Sequence, residues 1–92
     1  MKINLLEQDI WKNDSVTRRY KKEYGEILNA PPKMNIKDLA NACTYCNDWD
    51  NPYTREIVKR AGMYDRYDST RDFKHKREIF EKACAKYGIR IL

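Results

Sequence analysis

Apolar residues along this chain recur at helical intervals. Val16, Tyr20, Tyr24, Ile27 and Leu28 are spaced four, four, three and one positions apart, which gathers them on one side of a helix. The pattern predicts a first helix from Asp14 or Ser15 to about Asn29. Ala30-Pro31-Pro32 stops it, since proline breaks the hydrogen-bond ladder and restricts the residue before it. A second helix is expected to start at Asn35 as N-cap, with Asp38 at the third helical position and Met34 stapled to Leu39. Ile36, Leu39, Ala40 and Cys43 carry it to about Asn47.

Asn47 to Pro52, NDWDNP, is a turn by composition. Asn51 followed by Pro52 is an N-cap with proline at the first helical position, so a third helix should begin there. Tyr53, Ile57, Val58 and Ala61 form its buried arc, and Gly62 ends it. Met63 to Asp68 has room for one extra turn. A last helix is predicted to open at Ser69, with Asp72 three positions on, and to close at Tyr87-Gly88. Its apolar stripe is Phe73, Ile79, Phe80, Ala83, Cys84 and Tyr87. KINLL and GIRIL either pair as a two-stranded ribbon or form separate elements. The expectation is helical at the start, capped by Asn4, and extended at the end. The predicted fold is all-α: one domain over 1–92, a compact bundle of four to five helices with a short terminal extended segment.

Composition narrows the class. Ninety-two residues allow a core just large enough to fold without staples. With 41% hydrophobic and 36% charged residues, the chain reads as a folded domain with a heavily charged surface rather than as disorder. No apolar run approaches the roughly 20 residues of a membrane span. MKINLLEQDIW meets an acid too early for a secretory signal, so a cytoplasmic location is expected. The net charge of +5 is uneven: residues 52–92 carry eleven basic and six acidic groups, whereas residues 35–51 carry one and three. That balance favours anionic partners, either nucleic acid or an acidic protein face.

The CTYC stretch, Cys43 to Cys46, has three readings: metal, redox or core. On a helix the two cysteines fall about 60° apart, on the face shared by Ile36, Leu39 and Ala40. A zinc-stabilised module would complete four ligands with His75 and Cys84. Those two are nine positions apart, about 13 Å along a helix axis, and a second CxxC or CxxH pair is missing. Redox chemistry needs CxxC at a helix N-terminus, where the thiolate is stabilised. Core thiols are therefore expected, with no metal and no cofactor. The single histidine, His75, lies between Lys74 and Lys76, and no glycine-rich phosphate loop precedes a helix. The expectation is a protein that is not an enzyme.

Two basic faces remain. Arg18, Arg19, Lys21 and Lys22 occupy one arc of the first helix, opposite Tyr20 and Tyr24, and can meet phosphates or an acidic groove. Arg55, Lys59 and Arg60 form an outward row on the third helix. The last helix carries Lys74, Glu78 and Lys82 at four-residue spacing and Arg77 four before Glu81, a mutually satisfied pattern. A helix-turn-helix is disfavoured because the intervening turn is long and acidic. Trp49 and Tyr53, in and beside that turn, are candidates for a protein-contact knob. The expected function is binding of nucleic acid or a nucleoprotein complex through basic helical faces. The alternative is an anti-CRISPR-like inhibitor or adaptor that blocks a host defence nuclease. The small size and charge density resemble those of proteins from phages and mobile elements, a compositional likeness that covers no motif.

Overall fold

The computed structural model describes residues 1–3, 22, 25, 29–46 and 49–92. Within them the chain is mostly helical and compact, with one short parallel strand pair. In chain order the elements are strand β1 (Lys2–Ile3), a 3-10 turn (Pro31–Lys33), helices α1 (Ile36–Thr44), α2 (Pro52–Arg60), α3 (Tyr64–Ser69) and α4 (Phe73–Lys86), and strand β2 (Arg90–Ile91).

Side-chain caps set the starts of α1, α2 and α4. Asn35 accepts a 2.8 Å hydrogen bond from the Asp38 amide, so α1 opens as its sequence predicts. Asn51 is fully buried, and its Oδ1 accepts from the amides of Tyr53 and Thr54, both at 2.9 Å. Thr54 Oγ1 reciprocates by accepting from the Asn51 amide, which completes a capping box. Asn51→Ala is expected to cost about 2 kcal/mol, at the upper end for an N-cap because the site is dry. Faster amide exchange at Tyr53 and Thr54, with a lower melting temperature, would register that loss.

Helix ends rest on two glycines with left-handed backbone, Gly62 (φ 75°) and Gly88 (φ 68°). Behind Gly62, the Met63 amide reaches back to Val58 O at 3.1 Å. Behind Gly88, the Ile89 amide reaches Cys84 O at 2.9 Å. Each is a Schellman closure, and Met63 and Ile89 are turned back onto the core by it. Lys86 Nζ adds a 2.9 Å bond to Ala61 O, capping α2 from α4.

The core lies where α1, α2 and α4 meet. Leu39, Ala40 and Cys43 of α1 join Ile57 and Val58 of α2 and Phe80, Ala83 and Cys84 of α4. The expected stripe of α4 is met from Ile79 onward. Phe73 departs from it and is 70% exposed. The reason is where α4 starts: Asp72, not Ser69, is the cap, accepting from the Lys74 amide at 3.0 Å. Ser69 instead ends α3, so Phe73 stands on the first position of α4, before the helix reaches the core. The segment Met63 to Asp68 does form the extra turn, as α3.

At the chain ends the ribbon alternative is present: residues 2–3 are extended and pair in parallel with β2 in the register Lys2↔Arg90 and Ile3↔Ile91, and β2 is extended as expected. The helix expected after Asn4 lies outside the described residues. Ile3 is fully buried against α1. The predicted first helix, 14–29, falls almost wholly outside the described residues. No helix among the described residues is long and apolar enough to cross a membrane.

Candidate functional site

Asp50, just before the α2 cap, organises the most elaborate polar cluster among the described residues. Its Oδ1 accepts from Tyr67 Oη at 2.6 Å and from Arg55 Nε at 3.2 Å, and Lys76 Nζ stands 3.7 Å from Oδ2. The same ammonium lies 4.9 Å from the Tyr67 ring centroid, a cation–π contact. Burial pulls the Asp50 carboxyl upward. The hydrogen bonds from Tyr67 and Arg55 and the two nearby cations outweigh it and hold the group below its ordinary value. Burial, and then the Asp50 hydrogen bond, push the Tyr67 phenol well up, so it stays a donor.

This cluster braces one cation at the surface. The Asp50 side chain is 12% exposed, while that of Arg55 is 49% exposed. Arg55 is anchored through Nε, a bond that does not use the four N–H donors of its two terminal nitrogens. Lys59, one helical turn on, is exposed on the same row. Together with Pro52, Glu56 and Tyr64 these two cations line a shallow groove of about 280 Å³.

The third predicted member of that row, Arg60, turns inward. Its guanidinium bonds Glu56 at 3.0 Å and the carbonyls of Pro31, Pro32 and Met34, tying α2 to the 3-10 turn. Trp49 packs partly inward. It is half-buried, stacked on Phe80 (5.9 Å between centroids, 21°) and edge-on to Tyr67 (6.4 Å, 84°). Tyr53 is likewise half-buried against the core. Of the first cationic face, Lys22 is exposed, and Arg18, Arg19 and Lys21 lie outside the described residues.

Cys43, Cys46 and Cys84 are all buried free thiols. Cys43 Sγ donates to Asn51 Oδ1 at 3.9 Å and Cys46 Sγ to Ala42 O at 3.5 Å. Burial pushes the Cys43 thiol up, reinforced by Cys46 and Cys84. Burial, with Glu81, pushes Cys84 up to about 12. Cys43 and Cys84 pack the core as protonated groups, and Cys46 is buried beside them. Among the described residues, no three His, Cys, Asp or Glu side chains are grouped to hold a metal ion. His75 is exposed on the first turn of α4, with Nδ1 3.3 Å from Asp72 Oδ2, whereas the three cysteines are buried. Arg77 and Glu81 pair at 3.2 Å, as their spacing predicts.

Sequence reasoning missed Tyr67, Lys76 and Tyr64. A faint signal existed for Tyr67, because YDRYDS has an aromatic residue at both ends of one helical turn. What the site offers is a cationic row on a braced helix, beside a shallow groove. No family model, characterised protein or solved structure matches the chain.

Proposed function

We propose that the protein is a non-enzymatic binding module that docks on nucleic acid through the exposed row of α2. The observation that carries this reading is Arg55: half its side chain faces solvent while Asp50 fixes its Nε. A fixed guanidinium loses less conformational freedom on meeting a phosphate than a mobile one, and its fork matches phosphate oxygens. Lys59 adds a second charge one helical turn away, about 5–6 Å between Cβ atoms. The positive balance of residues 52–92 supports the same partner class.

Fluorescence anisotropy with labelled duplex and single-stranded oligonucleotides, titrated across salt, tests it. Arg55→Gln with Lys59→Gln removes both charges and leaves Tyr67 and Lys76 on Asp50, so the fold is kept. Affinity should fall, and the salt slope on duplex DNA should drop by about 0.9 for each phosphate no longer neutralised. Unchanged binding by the variant would exclude this face. Binding that ignores salt would favour the protein-blocking alternative.

A further inference from the structure

A second cleft, larger in volume, lies between α3 and α4, and it shares no lining residue with the groove on α2. Its volume is about 410 Å³, within the roughly 300–1,000 Å³ of small-molecule sites. Half-buried Met63 and Ile79 give it an apolar floor resting on the core. Arg66 and Lys82 bring two cations to its rim against one carboxylate, Glu78. The His75 imidazole forms part of the wall, tethered to Asp72.

The hydroxyls in this cleft have a defined polarity. Ser69 Oγ and Thr70 Oγ1 both donate to Arg66 O, at 3.2 and 2.6 Å. A hydroxyl has one proton, so while these bonds are kept the two oxygens offer a ligand lone pairs to donate to. The cleft therefore asks for three things in one molecule: an anion for Arg66 and Lys82, hydrogen-bond donors for Ser69, Thr70 and Glu78, and a flat or apolar body for Met63 and Ile79. Inorganic phosphate lacks the body, and an alkyl carboxylate lacks the donors. A nucleotide has phosphate, sugar hydroxyls and a base.

We propose that the α3–α4 cleft is a nucleotide-binding site, occupied by a free nucleoside monophosphate or by the phosphorylated end of a single strand. The base lies on Met63 and Ile79, beside His75. The phosphate meets Arg66 and Lys82, and the sugar hydroxyls donate to Ser69 and Thr70. Nothing in this assignment depends on the α2 surface.

The test is an amide NMR titration with adenosine 5′-monophosphate, adenosine and inorganic phosphate as separate probes. The monophosphate should shift the amides of Met63, Arg66 and Ile79 saturably. Adenosine and inorganic phosphate should each bind at least about tenfold more weakly, for want of one charge-assisted hydrogen bond or of the buried base. Lys82→Glu, at an exposed position, should weaken the monophosphate by about tenfold or more. Arg55→Gln with Lys59→Gln should leave it unchanged, which separates this site from the α2 surface. A 5′-phosphorylated oligonucleotide that outcompetes the monophosphate, and loses that advantage in Lys82→Glu, identifies a strand end as the source. The reverse order identifies the free nucleotide. Three outcomes would overturn the assignment: no saturable shift with either nucleotide probe, equal binding of inorganic phosphate, or tighter binding of an acidic peptide.

Discussion

Phe80→Ala is expected to lower the unfolding free energy by about 3–5 kcal/mol, the range for a buried aromatic reduced to alanine. Small domains hold only about 5–15 kcal/mol in total, so the variant should be close to unfolding at ambient temperature. Phe80 is fully buried in the middle of α4. Its ring carries the stacked indole of Trp49, which in turn meets Tyr67 edge-on. Deleting it opens a cavity and removes the support that half-buries Trp49. Urea unfolding followed by tryptophan fluorescence reads both effects. In a Trp11→Phe background, which isolates Trp49, the native emission should move to the red while the urea midpoint falls. A loss below about 1 kcal/mol, the size of a mild core change, would mean that the surroundings close over the gap.

The second large effect should come from Asp50→Ala, with about 2–4 kcal/mol lost. Two hydrogen-bond donors and the Lys76 ammonium converge on one carboxylate, and the buried Tyr67 hydroxyl would be left without its acceptor. Breaking a fully buried ion pair costs about 3–5 kcal/mol, and the partly exposed guanidinium of Arg55 brings the figure down through solvent screening. The pH dependence has a definite sign. Asp50 titrates lower in the folded protein than its ordinary value of 3.8. Its contribution is therefore complete above that value and is lost as the pH falls through the lower folded one. Acid titration of the wild type should show a loss of stability below about pH 4, where unfolded aspartates take up protons, and Asp50→Asn should lack that component. Identical acid profiles would remove Asp50 as the organising charge.

Features decided by neighbours in sequence were readable from sequence. Asn35, Asn51-Pro52, Gly62 and Gly88 each set a helix boundary through hydrogen bonds within a few residues, and each boundary appears where expected. The start of α4 was not readable in the same way. Ser69, Thr70 and Asp72 are all competent caps within four positions, and the side-chain bonds of Ser69 and Thr70 to Arg66 O settle the competition. The ribbon was readable only as one of two alternatives, because its partners sit at opposite ends of the chain and no local signal pairs them. The site divides along the same line. Arg55 and Lys59 stand out from helical periodicity. Asp50's grip on Arg55 depends on Tyr67 from α3 and Lys76 from α4, and Arg60's inward turn depends on carbonyls 26 to 29 residues away.

The ribbon has a mechanical consequence. β1 and β2 run parallel, and each lies at one end of the sequence. Tension applied through residues 1 and 92 would pull the two strands in opposite directions along their shared axis. The hydrogen bonds from Arg90 to Met1 O and from Leu92 to Ile3 O, both 2.9 Å, would then carry load together in shear. An antiparallel pair held at the same side would instead open bond by bond, like a zip. The helices behind the ribbon feel no such tension until those bonds fail, so a feature of two residues on each side guards the whole core against being drawn out from its ends.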